Sequence, residues 1–226
     1  MAIILSIESS GTICSVALHQ NGELLALVES DEPNIHGQKL AVFIKEITDL
    51  QKISINSLDA IAVSEGPGSY TGLRIGVSIA KGLCYASKIP LIAVDTLQSL
   101  AYAMLQQTEI SFPENAVLMP MIDARRMEVY LAGYDLKLER TATTKPVILD
   151  ETFFHALNQP TSVCGNGASK IESSFFNKYL TFVPGINFSA KHLGHLAFLK
   201  FESQHFEDIA YFEPVYLKEF AVVIKQ

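Results

Sequence analysis

Two short stretches rich in glycine and hydroxyl groups contain the residues of this sequence that are best suited to bind an anion. The first is the turn Ser9-Ser10-Gly11-Thr12, which directly follows Glu8. The second is the loop Gly66-Pro-Gly-Ser-Tyr-Thr-Gly72, which opens a predicted helix and so offers backbone N–H groups that have no partner within the helix. The turn predicts a phosphate or nucleotide site at Glu8, Ser9, Ser10, Gly11 and Thr12, and an ordinary tight hairpin is the alternative.

Neither stretch completes a catalytic motif. The loop Gly66–Gly72 is not followed by the Gly-Lys-Ser/Thr of a Walker A loop, and Ser69 lacks the spacing of a G-x-S-x-G nucleophile. The six histidines contain no H-x-x-x-H or H-E-x-x-H pair, and the three cysteines have no C-x-x-C spacing. We expect structural roles for His192 and His195 and for Asp123, which lies at a predicted hairpin tip. We therefore expect neither catalytic residues nor a metal site.

Composition limits the classes of protein to which the chain can belong. Its 226 residues are 49% hydrophobic, which is enough for one large or two small folded domains. The formal net charge of −7 and the lack of a basic run argue against nucleic-acid binding by this chain alone. The N-terminal residues have no basic segment, and no apolar run is long enough to span a membrane. We expect a cytoplasmic protein.

The elements that position the two stretches fall in the first half of the chain. An antiparallel three-stranded meander is predicted around an Asn21-Gly22 turn, because Asn-Gly suits the type I′ turns of hairpins. Helices and strands then alternate up to a third helix that Asp95 caps. The predicted strands and helices after the meander are His36–Gln51 (helix), Leu58–Glu65 (strand), Tyr70–Ser87 (helix), Leu91–Val94 (strand) and Asp95–Gln107 (helix).

The second half repeats the plan of strands followed by helices. A hairpin is predicted from Ala116–Ile122 and Met127–Tyr134. The remaining predicted elements are a strand at Pro146–Leu149, a short helix capped by Asp150, a strand at Ser162–Cys164, and helices over Ala168–Phe176 and from Ser189 to Phe201. We therefore predict an α/β protein with subdomains at residues 1–107 and 108–226.

The predicted helix Tyr70–Ser87 has no broad polar face. Its small residues recur every four positions and make one side nearly flat, at Gly72, Gly76 and Ala80. Larger apolar residues border this strip, and others lie on a separate side of the helix. Such a helix is either buried inside its own domain or packed on its domain with one side and on a partner chain with another. We expect the flat strip to be the surface on which the partner packs.

Three stretches together resemble the TsaB (YeaZ) family. They are Ile4–Ser10 (ILSIESS), Asp59–Gly76 (DAIAVSEGPGSYTGLRIG) and Pro90–Leu97 (PLIAVDTL). Met121–Tyr130 and Pro214–Leu217 are also similar to the family's pattern, although Lys218 stands where the pattern has Arg. The resemblance covers nearly the whole chain.

The resemblance implies an actin-like (ASKHA) fold of two RNase H-like subdomains, the second of them reduced. It implies a non-catalytic scaffold that activates the TsaD subunit when a threonylcarbamoyl group is transferred to N6 of adenosine 37 in tRNA, giving t6A. The partners would be TsaD, the ATPase TsaE and, for the isolated chain, a second copy. The partner subunits would use ATP and a metal, this chain would bind no cofactor of its own, and tRNA would be reached only through the complex.

The family's dimer face consists of the two helices that follow the meander and the glycine-rich loop. Carried over to this sequence, the predicted interface residues are His36, Leu40, Phe43, Gly72, Arg74, Ile75, Gly76, Ile79, Ala80 and Leu83. Two other interpretations remain open. The chain would be a stand-alone ASKHA enzyme that binds nucleotide through Glu8 and the Ser9–Thr12 turn, or a glycoprotease.

Overall fold

The computed structural model describes residues 1–171 and 177–218, and its first half forms a mixed sheet of five strands. The strand order is β3-β2-β1-β4-β5, with β1–β3 antiparallel and β1, β4 and β5 parallel. The strands are Ile3–Glu8 (β1), Cys14–Gln20 (β2), Glu23–Ser30 (β3), Ala60–Gly66 (β4) and Leu91–Asp95 (β5).

The second half forms a second sheet of the same design. Its order is β10-β9-β6-β7-β8, in which the antiparallel meander β6–β8 lies beside the parallel strands β9 and β10. The strands are Val117–Asp123 (β6), Glu128–Tyr134 (β7), Arg140–Ile148 (β8), Thr161–Cys164 (β9) and Leu180–Phe182 (β10). Numbered within each half, both sheets have the order 3-2-1-4-5, so the prediction of two RNase H-like subdomains is confirmed.

The helices enclose the first sheet on both faces. One face packs on α1 (His36–Gln51) and α2 (Tyr70–Ser87) through alternate residues of the strands, such as Leu5, Ile7 and Val63. The other face packs on α5 (Gly194–Glu202) and the preceding turn through Ile4, Ala62 and others. Helix α3 (Thr96–Leu105) lies against the second sheet, and α4 (Glu151–His155) covers that sheet's outer face.

The packing of α5 crosses the predicted division at residues 107 and 108. The strands of each sheet do lie on the predicted sides of that division. However, α5 belongs to the second half of the chain and packs on the first sheet, where Leu193, Leu196 and Ala197 join the core of β1, β4 and β5. The chain therefore returns to its first subdomain after completing its second. Dividing it at residue 108 would separate α5 from the first sheet and α3 from the second, and both cores would be exposed.

The first half agrees closely with the sequence prediction. Helices α1 and α2 have the predicted bounds, and Asn21 and Gly22 both have the positive φ of a type I′ turn, at 50° and 85°. Asp95 caps α3 by accepting hydrogen bonds from the N–H groups of Leu97 and Gln98, at 2.7 and 3.0 Å. These elements carry strong local signals, so propensity and tertiary packing agree.

The second half departs from the prediction in several elements. Strand β8 begins at Arg140, six residues before the predicted start, and it is polar and mostly exposed along that stretch. Strand β10 was missed. The predicted helix over Ala168–Phe176 is a 3-10 turn at Ala168–Lys170, and residues 172–176 lie outside the described part of the chain. Ser189 caps a 3-10 turn, after which α5 begins at Gly194.

The buried His19 and the partly exposed His192 lie where the turn before α5 meets the first sheet. The His19 ring is fully buried, its Nδ1 lies 3.1 Å from the Ser6 hydroxyl, and its Nε2 lies 3.3 Å from the Lys191 carbonyl oxygen. A Cβ at Gly194 would lie 2.0 Å from this ring, so only glycine fits there. Burial lowers the pKa of His19 to about 4, and burial with the nearby Lys191 charge lowers the pKa of His192 to about 4.

We predict that acid weakens this junction. Both histidines fold in the neutral form, so their contribution is fully present above about pH 6.5 and is lost as the pH falls toward 4. For His19 alone, the free energy of unfolding should drop by about 2 kcal/mol between pH 7.5 and pH 5. Denaturant unfolding at the two pH values measures this drop.

The matched variants are His19→Gln and, as control, His205→Gln, whose imidazole is exposed. Burial raises the pKa of the Glu8 carboxyl and acts in the opposite direction over part of this range, so the informative quantity is the difference between variants. His19→Gln should flatten the pH dependence while His205→Gln leaves it unchanged. Equal pH dependence in wild type and His19→Gln would contradict the assignment.

Candidate functional site

The glycine-rich loop packs directly on the β1–β2 turn. The Ser69 N–H donates to the Ser10 carbonyl oxygen at 2.7 Å, and the Ser69 hydroxyl accepts from the Gly72 N–H at 3.2 Å, which caps α2. A Cβ at Gly68 would lie 2.5 Å from the Ser10 carbonyl oxygen, and one at Gly72 would lie 2.0 Å from that of Ser9. The glycines are therefore required for this contact, which occupies donors that an anion would need.

Glu8 lies beneath this contact and holds the turn together. Its Oε1 accepts hydrogen bonds from the Ser10 N–H at 2.6 Å and the Ser64 hydroxyl at 2.9 Å. The side chain is fully buried, and this burial raises the pKa of the carboxyl, although the hydrogen bonds oppose the shift. Glu8 therefore positions the turn from below.

A cavity of about 490 Å³ lies in front of the turn, between the two subdomains. Of the five residues predicted to bind nucleotide, Ser10, Gly11 and Thr12 line it, whereas Glu8 and Ser9 do not. The lining residues are neutral polar groups, glycines, a few apolar side chains and one carboxylate: Ser10, Gly11, Thr12, Asp31, Pro33, Asn34, His36, Gly37, Ser69, Thr71, Gly72, Ile75, Ile122 and Asn166.

The donor set of this cavity fits a metal-bound triphosphate poorly. Among the described residues no lysine or arginine lines it, and the one lining residue of fixed charge, Asp31, would repel phosphate. Within residues 1–171 and 177–218, no group of three or more His, Cys, Asp or Glu side chains is placed to hold a metal ion. Nucleotide binding at Glu8–Thr12 stays a prediction that this chemistry does not favour.

The flat strip of α2 faces the chain's own sheet, which corrects the sequence prediction. Gly72, Gly76 and Ala80 are buried, and a Cβ at Gly76 would lie 2.2 Å from the Ser9 hydroxyl oxygen. In α1, Leu40 is fully buried and His36 is 9% exposed, with its Nε2 3.3 Å from the Ile13 carbonyl oxygen. These five residues position the two helices from within, and of them only His36 and Gly72 also line the cavity.

The other five predicted interface residues do reach the surface. Arg74 is exposed, and Phe43 of α1 and Ile75, Ile79 and Leu83 of α2 are partly exposed. The sequence prediction did not include three further exposed positions on the two helices: Val42 and Leu50 of α1, which are 51% and 66% exposed, and Gly82 of α2, whose Cβ position is open. We call the surface formed by Val42, Phe43, Leu50, Ile75, Ile79, Gly82 and Leu83 the α1–α2 face.

The C-terminal segment binds the remaining side of α2. The Lys81 ammonium donates to the Phe212 carbonyl oxygen at 2.9 Å, and the Val215 N–H donates to the Glu65 carbonyl oxygen at 2.8 Å. The Tyr70 and Tyr216 rings lie 4.9 Å apart, and the Arg74 guanidinium lies 4.3 Å from the centre of the Tyr70 ring. Lys218, where the family pattern has Arg, forms an ion pair with Glu128. Helix α2 is thus held by the sheet, by α1 and by this segment.

The remaining candidate residues have structural partners. His195 stacks on Tyr102 with 5.0 Å between ring centres, and His192 lies near His19 and is partly exposed. The Lys170 ammonium lies 2.6 Å from the Asp123 carboxylate, so the hairpin tip carries an ion pair, and this pair lowers the pKa of Asp123. The structural interpretation of these residues is therefore supported.

Two mixed sheets of order 3-2-1-4-5, joined across a cleft, define an actin-like (ASKHA) fold. The solved structure of YeaZ from Pseudomonas aeruginosa shares it, with a TM-score of 0.76, 25% identity, and coverage of 96% of this chain and all of that one. A sequence profile described as "TsaD: tRNA N6-adenosine threonylcarbamoyltransferase" matches residues 33–221. The chain therefore belongs to this family, and it resembles most clearly the members known as TsaB or YeaZ.

Two curated relatives represent both kinds of member. The "tRNA threonylcarbamoyladenosine biosynthesis protein TsaB" of Escherichia coli (strain K12) is 34% identical over 155 residues, which are 66% of this chain and 64% of that protein. The "tRNA N6-adenosine threonylcarbamoyltransferase" of Kosmotoga olearia is 29% identical over 167 residues, which are 66% of this chain and 49% of that protein. The chain thus matches less than two thirds of the length of either relative. None of the described helices is long and apolar enough to cross a membrane.

We predict that Gly76 and Gly82 respond oppositely to alanine, although both lie in α2. Gly76→Ala places a methyl group against the Ser9 hydroxyl and should lower the free energy of unfolding by about 1–3 kcal/mol. Gly82→Ala places it in open space and should raise stability by about 0.5–1 kcal/mol through helix propensity. Denaturant unfolding measures both. Equal effects of the two substitutions would contradict the assigned orientation of α2.

Proposed function

We propose that the chain is a non-catalytic subunit of tRNA threonylcarbamoyladenosine formation, which binds a TsaD-type partner through the α1–α2 face and activates it. The observation that supports this most directly is the partly exposed apolar row Ile75, Ile79 and Leu83 on α2, together with apolar side chains that α1 exposes, among them Phe43 and Leu50. Neighbouring apolar side chains exposed on two packed helices are typical of protein–protein surfaces.

The kind of partner follows from the common fold. The chain is similar in sequence to TsaB proteins and to a TsaD-type transferase. Related subunits can pair through equivalent helices about a pseudo-twofold axis, so a paralogue presenting a similar pair of helices is a suitable partner. A second copy of the chain, a TsaE-type ATPase and tRNA held through the complex remain expectations for the assembly.

The stand-alone enzyme has less support. An ATP-dependent enzyme of this fold needs cationic or metal-binding groups at the phosphates, and Asp31 is the residue of fixed charge in the cleft. A glycoprotease would need an accessible nucleophile and base, whereas the described Ser6–His19 pair is fully buried.

We predict that Ile79→Asp prevents partner binding. A carboxylate placed in the apolar row would have to be buried without a counter-ion, so the affinity for the TsaD-type protein of the same genome should fall at least about thirtyfold, which corresponds to about 2 kcal/mol. Isothermal titration calorimetry measures the affinity, and thermal unfolding shows whether the variant folds.

Two further variants make the test independent of folding. Leu50→Asp changes a residue that is 66% exposed, so it should weaken binding with little effect on the fold. Leu199→Asp is the matched control, because Leu199 is a 52% exposed leucine on α5, across the sheet from α1 and α2. If all three variants bind like wild type, the α1–α2 face is not the docking surface.

A further inference from the structure

The interlobe cavity continues the α1–α2 face at the N-terminal ends of its two helices. Ile75 belongs both to the face and to the cavity lining, and His36 and Gly37 bring the start of α1 to the cavity wall. Ile122 and Asn166 of the second subdomain form its far wall. A partner chain seated on the face would therefore lie next to the cavity mouth.

The cavity has the polarity of a site for a cation. Asp31, an exposed residue, carries its one fixed charge, and the described residues place no cationic nitrogen within 4.0 Å of this carboxylate. The other polar lining groups are the His36 imidazole and the hydroxyls and amides of Ser10, Thr12, Asn34, Ser69, Thr71 and Asn166. Hydroxyl and amide oxygens accept hydrogen bonds from guanidinium or ammonium groups, and a carboxylate supplies the matching charge.

The size of the cavity suits a long side chain. Its volume of about 490 Å³ exceeds what a single ion or water molecule fills and falls within the usual range of ligand sites. Ile75 and Ile122 offer apolar walls to the methylene stem of a lysine or arginine, while the polar groups face its head. Buried basic residues of this kind, arginine above all, are frequent anchors in protein interfaces.

We infer that the cavity receives a lysine or arginine side chain of the partner that docks on the α1–α2 face, with Asp31 as its counter-ion. This inference rests on the proposed function, because it needs a partner on that face. It gives the cleft a binding role that differs from nucleotide binding. The Asp31 carboxylate, which would repel phosphate, would attract the positive charge of the partner's side chain and so contribute to specificity.

Asp31→Asn tests this inference in the intact chain. Removing the charge while keeping the shape should weaken the complex about tenfold, the usual scale for a charge-assisted contact, and Asp31→Lys should weaken it further by repulsion. Glu32→Gln is the matched control, since Glu32 is the adjacent exposed carboxylate and does not line the cavity. Calorimetry at two salt concentrations should also show a smaller salt dependence for Asp31→Asn than for Glu32→Gln.

The outcomes separate this inference from the proposed function. If Ile79→Asp abolishes binding while Asp31→Asn and Glu32→Gln behave alike, the docking surface stands and the cationic anchor is refuted. If Ile79→Asp has no effect, the proposed face itself fails. Binding of Mg-ATP by the isolated chain that tightens in Asp31→Asn would assign the cavity to nucleotide and overturn the inference.

Discussion

The contact between the start of α2 and the β1–β2 turn is the constraint on which the rest of the first subdomain depends. Gly68, Gly72 and Gly76 bring the helix so close to Ser9 and Ser10 that no side chain fits between them. The Glu8 carboxylate holds the turn from below through the Ser10 N–H and the Ser64 hydroxyl. This contact fixes which side of α2 faces the sheet and therefore which side remains exposed.

The two subdomains use one topology for different purposes. In the first, α1 and α2 are 16 and 18 residues long and cover a full face of the sheet, leaving apolar side chains on their outer surface. In the second, the outer face is covered by α4, which has five residues. The first subdomain is therefore the one able to present a broad helical surface. The second closes the cleft through Ile122 and Asn166.

The sequence predicted the elements with local signals and missed those that depend on tertiary contacts. The Asn21-Gly22 turn and the caps at Ser69 and Asp95 are encoded by nearby residues, so the first half was predicted well. Strand β8 shows no alternation of apolar and polar residues before Val147. It is mostly exposed, and it is a strand because it pairs with β7, which its own sequence does not indicate. Strand β10 was missed because it has only three residues, too few to show a periodic pattern. Its partner β9 is separated from it by a connection of 15 residues.

In the candidate site, too, local sequence patterns predicted some features, and the features that depend on tertiary contacts were missed. The spacing of Gly72, Gly76 and Ala80 correctly indicated that something packs closely against α2, but a flat strip looks the same whether its partner is a sheet of the same chain or another protein. The open Cβ position of Gly82 and the exposed Leu50 are visible only once the sheet has been placed. Asp31 is a candidate binding residue only because the fold places it in the wall of a cavity whose described lining contains no lysine or arginine.

We propose that this chain contributes a docking surface and no reacting group. The most direct test measures single-turnover threonylcarbamoyl transfer to tRNA by the TsaD-type partner, with the threonylcarbamoyl adenylate supplied, as wild-type chain or the Leu50→Asp variant is titrated in. We expect the rate to rise and saturate with both proteins at the same plateau, the variant requiring a higher concentration. Full activity of the partner alone, or a lower plateau with the variant at saturation, would contradict the claim.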